Sequence, residues 1–393
     1  MPDRSYLSWP FFDDSHRKLA GDLKAWAEQN ILETPGSDVD RQCRSLASAL
    51  ASGGWLRHIV PAEISGKQSA CPPALDVRSI CLIREILAYH SALADFAFAM
   101  QGLGATPVGL FGSDALKRRY LPKLESAAMV GAFAISEPEA GSDVRALQTT
   151  ARRDGDSYIV NGCKTWISNA GLADFYIVFC RFPEMGEKAY VALAIEKTTP
   201  GFTIERFEII APHPIGTLRF NNCSVPASAL VGTEGEGLKI ALATLDLFRS
   251  TVGGAAVGFA RRALDEAISY SRKRKQFGQA LSEFQITQAK LAEMALAIDA
   301  SALLVYRAAW THDVLKQSVT REVAMAKLHA TESAQKVIDE ALQLFGGRGV
   351  LAGSITERLY REIRALRIYE GTSEIQKLII AGQVLKEKSA KPA

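Results

Sequence analysis

The sequence predicts an α+β protein in which helices, then strands, then helices follow one another in segregated blocks. Three observations carry this. From about His16 to Ser126 apolar residues recur at spacings of three and four, as in Leu19, Leu23, Trp26 and Ala27 and again in Ile80, Leu82, Ile83, Ile86 and Leu87, which is the stripe of an amphipathic helix. Between about Met129 and Gly235 the period falls to two. Beyond Gly237 the helical period returns through Val252, Ala256, Phe259, Ala263, Leu264 and Ala267. Blocks segregated in this way disfavour a doubly wound α/β sheet. The expected boundaries are residues 1–128 for an N-terminal helical domain, 129–235 for a small β domain and 236–393 for a C-terminal helical domain.

Within the first block Gly53-Gly54 and the Gly66 to Pro73 stretch read as turn and loop. In the second, Ser157 to Val160 and Cys163 to Ile167 read as two strands of a hairpin joined at Asn161-Gly162, because Asn-Gly readily takes the positive φ of a tight turn. Phe175 to Phe179, Val191 to Ile195 and Leu218 to Phe220 supply further strands, and Pro226 with the glycines from Gly232 to Gly237 ends the block. In the third, Ile286 to Trp310 is apolar around much of its circumference, as in a helix buried among helices. Val337 to Phe345 is helical and stops at Gly346-Gly347-Arg348-Gly349, which reads on its own as a glycine C-terminus. The tail from Lys386 to Ala393 is expected to fray.

A chain of 393 residues can bury two or three subdomain cores. Its 46 basic and 43 acidic residues are interleaved, and the densest basic run, Arg272-Lys273-Arg274-Lys275, is too short for a duplex-binding stripe but suits a few phosphates. Nucleic acid is not expected as a partner. The six cysteines form no C-x-x-C pair, so a metal site is not expected and reduced thiols fit a cytoplasmic location. Residues 1–14 lack the basic-then-apolar pattern of a targeting segment, and no apolar run approaches the length of a membrane span. Neither a G-x-x-x-x-G-K-[ST] loop nor a helix-opening G-x-G-x-x-G is present.

The most informative string is Arg367-Ile368-Tyr369-Glu370-Gly371-Thr372-Ser373-Glu374-Ile375-Gln376. Thr372 or Ser373 can cap the helix that follows to about Lys386, and Ser373 with Gln376 fits a capping box. Glu370 is thereby a loop carboxylate aimed by a rigid element. An acid serving only the helix dipole would more usually sit in the first turn, so Glu370 is a candidate general base. Most glutamates in loops are simply solvated; what singles this one out is four further blocks upstream. These are Ile135-Ser136-Glu137-Pro138-Glu139-Ala140-Gly141-Ser142-Asp143, Trp166-Ile167-Ser168-Asn169, Arg274-Lys275-Gln276-Phe277-Gly278 and Gln343-Leu344-Phe345-Gly346-Gly347.

In this order and spacing the five blocks resemble the acyl-CoA dehydrogenase family of flavoproteins, from about Leu87 to Leu385. The resemblance implies a helical domain, a central β-barrel or sandwich and a C-terminal four-helix bundle, with FAD as cofactor. It would place the Ser136 and Ser168 hydroxyls on the pyrimidine edge and N5 of the flavin, with Trp166 beside the ring. The Gly141-Ser142-Asp143 loop would touch flavin and pantetheine. Arg274 and Gln285 would reach the FAD pyrophosphate of a partner subunit, Phe277 the adenine, Gln343 and Gly347 the same patch, and Thr372 with Glu374 the adenosine end. A cofactor shared in this way implies a homo-oligomer, a tetramer built from two dimers.

On the substrate side the resemblance implies that Asp246 and Arg249, which share one helical face, contact coenzyme A, and that Gly371 lies with the thioester. Some relatives carry the base where this chain has Phe248, which cannot serve; Glu370 remains. The implied reaction is α-proton removal by Glu370 with transfer of the β-hydride to flavin N5, giving a trans-2-enoyl thioester. The Glu370 N–H and a flavin ribityl hydroxyl would polarise the carbonyl, and an electron-transfer flavoprotein would take the electrons. The segment from Asp95 to Gln101, with Phe96 and Phe98 and no arginine, would line the acyl pocket and disfavour dicarboxylates, and Phe248 would favour short or compact chains. The stretches Ser65-Gly66-Lys67-Gln68 and Ile210 to Thr217 depart from the family pattern. The second leaves an acyl-carrier-protein thioester open as substrate. An oxygen-using acyl-CoA oxidase or monooxygenase, a non-catalytic flavoprotein acting as an interaction partner and a plain helical scaffold are the competing readings.

Overall fold

In the computed structural model, which describes residues 3–31, 38–60 and 75–389, the first block folds as α1 (Asp14–Asn30), α2 (Val39–Ser52), α3 (Val77–His90), α4 (Ala92–Phe111) and α5 (Asp114–Glu125). The second contains β1 (Gly131–Ala134), β2 (Thr150–Asp154), β3 (Ser157–Ser168), β4 (Phe175–Arg181), β5 (Tyr190–Glu196), β6 (Phe202–Arg206), β7 (Ile215–Pro226) and β8 (Leu230–Val231). The third contains α6 (Gly237–Lys273), a hairpin of β9 (Lys275–Gln276) and β10 (Gln279–Ala280), then α7 (Gln285–Asp313), α8 (Thr320–Phe345), α9 (Ile355–Leu366) and α10 (Ser373–Ser389). The α+β order expected from the periodicities is the order observed. Ser65 to Gln68 lie outside the described residues.

By internal packing the chain forms two units: Met1–Pro35, Asp76–Asp95 and Asp246–Ala393 make one, and Gly36–Leu75 and Phe96–Leu245 the other. In the first unit α6 lies against α3 closely enough that only glycine fits. A Cβ on Gly258 would stand 2.1 Å from the Glu85 carbonyl oxygen, and one on Gly254 2.7 Å from that of Cys81. Charges buried along α3 are paired. Arg261 donates from Nε to Glu85 at 2.9 Å while the Tyr306 hydroxyl donates to the other Glu85 oxygen. Arg84 forks onto Asp95 through two bonds of 2.8 Å. Asp313 accepts the first N–H groups of α3, from Val77 at 3.2 Å and Arg78 at 2.8 Å.

The second unit is built on one sheet of order β6-β7-β3-β2-β4-β5-β8, with β1 parallel to β4. Gln101 ties α4 to β1: its Nε2 donates to the Leu124 and Met129 carbonyls at 3.1 and 3.0 Å, and its Oε1 accepts from the Gly131 N–H at 3.1 Å.

Three expectations are corrected. Asn161-Gly162 is not a hairpin turn: β3 runs through it and pairs with β7, with a bulge there. Gly162 has φ +144° and lies so near Thr149 that a Cβ would meet it at 2.6 Å, while the Asn161 side chain accepts the Asn222 N–H at 2.7 Å. The true turn is Gly155-Asp156, because Asp154 pairs with Ser157. Second, α7 is not buried all round; Ile286 and Leu296 are exposed. Third, α6 is long and apolar enough to cross a membrane by length and composition, but 72% of its most apolar stretch is buried in the fold, as in a core helix.

Lys164 and Glu137 test how this sheet is held. The fully buried Lys164 ammonium donates to Glu137 at 2.7 Å and to the Ile135 carbonyl at 3.0 Å. Glu137 also accepts the N–H groups of Gln148 at 2.6 Å and Thr149 at 3.0 Å. Removing one partner strands a buried charge, whereas replacing both does not. Lys164→Ala is therefore expected to lower unfolding free energy by about 3–5 kcal/mol in denaturant titration, and Lys164→Met combined with Glu137→Gln by distinctly less.

Candidate active site

Glu370 has φ +54° and Gly371 φ +93°, two successive residues in left-handed backbone between α9 and α10. For glutamate this conformation costs on the order of 1 kcal/mol, so its surroundings must enforce it. They do so from three helices. Arg249 of α6 donates from Nε to the Glu370 carbonyl at 3.3 Å, and Lys327 of α8 donates to the Gly371 carbonyl at 2.8 Å. Gln376 of α10 donates to both carbonyls, at 3.3 and 3.0 Å. The flanks are clamped on Glu332 of α8, which takes Arg367 at 2.9 Å and the Ser373 hydroxyl. The expected capping box of Ser373 and Gln376 is not formed. Ser373 is drawn off to Glu332 and Gln376 to the turn carbonyls, so Thr372 is the cap, accepting the Ile375 N–H at 3.4 Å.

This backbone carries a carboxylate with an unusual environment. Glu370 Oε2 is sealed from solvent and has no hydrogen-bond partner among the described residues. Burial pushes the carboxyl above its ordinary range; Arg84, Lys327 and Arg249 pull it down, and Asp95 adds to the rise. Burial also lowers the Lys327 ammonium to about 8. The Glu370 N–H donates to no acceptor among the described residues. A desolvated carboxylate of raised basicity beside an unengaged backbone donor is the equipment for taking a proton from carbon next to a carbonyl.

The predicted substrate residues of the same unit fall close by. Arg249 is buried and also pairs with the half-buried Asp246, one helical turn away, whose carboxyl burial raises and Arg249 lowers. Phe248 is fully buried, and its carbonyl accepts the Thr251 hydroxyl at 2.7 Å. In the other unit Phe96 is buried against His213, ring centroids 4.4 Å apart.

Ser136, Trp166 and Ser168 are brought together in that second unit. The Thr165 N–H donates to the Ser136 carbonyl at 2.9 Å, which ties the Ser136 loop to β3. The Thr165 hydroxyl meets that of Thr217 at 2.9 Å, and the Asn169 N–H donates to the Pro214 carbonyl at 2.8 Å, so the atypical Ile210 to Thr217 segment braces the same stretch. Trp166, at φ +60°, is 61% exposed and stands edge-on to Phe207 at 5.0 Å. Held in this way the indole faces outward, where a strand tryptophan ordinarily faces the core. Gly141 and Ser142 lie in an exposed loop.

Arg274, Phe277, Gln285, Gln343, Gly347 and Glu374 are all exposed. Phe277 and Gly278 form the two-residue turn of the β9–β10 hairpin with φ +51° and +84°, leaving the phenyl ring 94% exposed. Gln343 and Gly347 flank Phe345, which stacks on Tyr270 at 4.2 Å one turn before Arg274. Among the described residues no cluster could hold a metal ion. Reading the sequence missed Arg84, Lys327 and Gln376. The signal for Arg84 was a charged Arg84-Glu85 pair inside the apolar run from Ile80 to Leu87.

Family models for acyl-CoA dehydrogenase match in three parts: the N-terminal domain over residues 13–128, the middle domain over 132–223 and the C-terminal domain over 235–385. The chain is 36% identical over 389 residues to a probable acyl-CoA dehydrogenase, fadE25, of Mycobacterium bovis, covering 96% of this chain and 98% of that one. It is 35% identical to the human mitochondrial short-chain specific acyl-CoA dehydrogenase over 381 residues, 95% of this chain and 90% of that one. Among solved structures, the prolyl acyl carrier protein oxidase AnaB superposes with a TM-score of 0.85 at 31% identity, covering 95% and 99% of the two chains.

The buried lysine gives a pH test of the turn. Free lysine titrates at 10.5 and Lys327 at about 8, so between these values the unfolded chain holds a proton that the folded one has released. Stability then rises with pH across that window. The unfolding free energy of the parent minus that of Lys327→Met should increase from about pH 8 towards 10.5; a flat difference would mean that Lys327 is solvated like a surface lysine.

Proposed function

The chain belongs to the acyl-CoA dehydrogenase family, and from that premise we propose that it desaturates a short or compact acyl-CoA thioester between the α- and β-carbons, with Glu370 as the base that takes the α-proton. FAD is the cofactor of this oxidoreductase and, when bound, accepts the electron pair that leaves with the β-hydrogen. The observation that carries the reading is Glu370 itself, a desolvated carboxylate with one unpartnered oxygen on a backbone locked from three sides. The α-carbon–hydrogen bond breaks, its proton passes to the Glu370 carboxylate, and the product is the trans-2-enoyl thioester. The free Glu370 N–H is suited to the thioester oxygen, where negative charge grows as the proton leaves. Arg249 and Gln376, both on the Glu370 carbonyl, keep that N–H and the carboxylate in one fixed relation.

The residues present fit a flavin. The Ser136 and Ser168 hydroxyls, without a hydrogen-bond partner among the described residues, would hold its polar edge, Trp166 its flank and Gly141-Ser142 the adjoining loop. Arg274, with Phe277, Gln285, Gln343, Gly347, Thr372 and Glu374, would hold the pyrophosphate and adenosine of a partner subunit's FAD. That Phe277 and Ile286 stand exposed on one chain supports a homo-oligomer, a tetramer in this reading. Asp246 and Arg249 would bind coenzyme A, and Phe96, Phe248 and Gly371 the acyl end. The likeness to the human short-chain enzyme supports the preference for short chains. An electron-transfer flavoprotein is the proposed acceptor and the cytoplasm the proposed location, the latter in keeping with the free thiols of Cys43, Cys81, Cys163, Cys180 and Cys223. The likeness to AnaB favours a second reading, oxidation of a carrier-protein thioester with oxygen as acceptor.

Anaerobic mixing with a panel of acyl-CoA and carrier-protein thioesters, followed by air, separates the two. Short acyl-CoAs should bleach the flavin and air should restore it slowly; bleaching only by carrier-protein thioesters with rapid reoxidation would establish the alternative, and a peak at palmitoyl-CoA would refute the short-chain preference. Glu370→Gln should still bind thioester but lose at least roughly 10² to 10⁴ in bleaching rate. It should also unfold at higher temperature at neutral pH, because a carboxyl with raised folded-state proton affinity subtracts stability above its unfolded pKa. The gain is about 1.4 kcal/mol for each pH unit of elevation. Rapid bleaching by this variant would place the base elsewhere.

Arg274 is exposed and without an ion-pair partner among the described residues, so it is free for a phosphate. Arg274→Ala should shed FAD on dilution at concentrations where the parent retains it, read by absorbance after gel filtration. The loss corresponds to about 2–5 kcal/mol of binding.

A further inference from the structure

Ser136 is held through its neighbours in the chain. The fully buried Lys164 ammonium of β3 donates to the Ile135 carbonyl at 3.0 Å and to the Glu137 carboxylate at 2.7 Å, one residue on either side of Ser136. The Ser136 carbonyl itself accepts the N–H of Thr165, the residue after Lys164, at 2.9 Å. Three successive loop residues are thus bound by two successive residues of β3. Glu137 is fixed further by the Gln148 and Thr149 N–H groups, at 2.6 and 3.0 Å, and by backbone bonds exchanged with Ala140 at 3.0 and 3.2 Å.

The same stretch of β3 is irregular. Lys164 pairs with Leu218 of β7 and Ile167 with Gly216, and the register shifts between them. In that gap the Thr165 N–H goes to Ser136, the Thr165 hydroxyl meets that of Thr217 at 2.9 Å, and Trp166 takes its φ of +60°. The irregularity that turns Trp166 outward, two residues before Ser168, is therefore built against the Ser136 loop, with Lys164 as the pin between them. A buried ion pair is a poor device for stability alone, since apolar side chains of similar volume commonly serve a fold as well. What an ammonium with two fixed acceptors supplies is position.

We propose that Lys164 is a positioning residue for the flavin: a buried ammonium that clasps the chain on both sides of Ser136 and so sets the spacing of the Ser136 and Ser168 hydroxyls to which the polar edge of the ring must fit. That role rests on Ser136 contacting FAD. The competing explanation is an ion pair that only ties the loop to the sheet.

Holoenzymes of the parent, Ser136→Ala, Lys164→Met with Glu137→Gln, and the combination of all three decide between them. Each is read by FAD retention on serial dilution, which gives a dissociation constant, and by the visible absorption band of the bound flavin, which responds to hydrogen bonds at the ring. Val160→Ala, which truncates a buried residue of β3 paired with Ala151 and Cys223, reports what destabilising the sheet does by itself. Ser136→Ala should weaken FAD by roughly two- to tenfold, the range for one hydrogen bond. The pair variant should do so by a similar factor and move the absorption band in the same sense, while Val160→Ala moves neither. Because the pair acts through Ser136, adding its replacement to Ser136→Ala should change little more. Should the pair variant not fold, Glu137→Gln alone, which keeps an acceptor for the ammonium but not the charge that holds it, is read in the same way. Parental affinity and spectrum in the pair variant, with only its stability altered, overturn the role of Lys164, and so do effects that add in full to those of Ser136→Ala. Failure of the underlying placement looks different: Ser136→Ala itself then leaves FAD affinity and spectrum unchanged, which sinks the contact and the role together.

Discussion

A carboxylate oxygen can stay sealed and unbonded only where the backbone that carries it is held by something other than its own side chain. In this protein the holding is done through carbonyl oxygens. The Glu370 and Gly371 carbonyls are turned by left-handed backbone towards Arg249, Lys327 and Gln376, and these donors use up the acceptors of the turn while leaving the Glu370 N–H and carboxylate unengaged. Much of the first unit serves that arrangement. The long helix α6 brings Arg249, α8 brings Lys327 and Glu332, and α6 is fixed on α3 by glycines that let the two backbones touch. Gly371 is required twice over, by its φ of +93° and because a Cβ would stand 2.5 Å from Gln376 Nε2.

The same logic of enforced backbone recurs at other candidate site residues. Trp166, Phe277 and Glu370 all take positive φ, which asparagine tolerates and bulky side chains do not. In each case the result is a side chain presented where regular structure would not put it: an indole turned out of a sheet, a phenyl ring at a hairpin tip, a carboxylate ahead of a helix cap. Strain of this kind persists only where the surroundings over-determine it. Ser136 and Asn169 supply the surroundings for Trp166 through the Thr165 and Pro214 bonds, and Arg249, Lys327 and Gln376 supply them for Glu370.

What could be read from the sequence divides along the same line. Period and turn chemistry are local, so the order of blocks and the Glu370 loop were legible from neighbours in the chain. Asn161-Gly162 misled because the choice between turn and bulge is made by distant partners: β7 pairs across it, and Thr149 packs where a side chain would be. Ser373 and Gln376 have capping-box spacing, but Glu332, 41 residues away in sequence from Ser373, offers a stronger acceptor. Lys327 sits in a helix of ordinary composition, and nothing in its neighbours announces a partner at Gly371. Arg84 lay in plain view as a charge in an apolar helix, yet its partner Asp95 belonged to a segment that read as an acyl-pocket lining.

That segment changes meaning once Asp95 is paired. A bare aspartate ahead of two phenylalanines would be an anion near an apolar chain, costly to bury and hard to reconcile with a base of the same charge nearby. Bonded twice to Arg84, it becomes half of a neutral, buried unit. The surroundings of the base then resolve into donors that fix its backbone through the turn carbonyls and a carboxylate that none of them touches. Separating these tasks has a physical reason. A direct hydrogen bond or ion pair to the carboxylate would position it well but would stabilise the anion and weaken it as a base, whereas bonds to the carbonyl position the group and leave its basicity to burial and field.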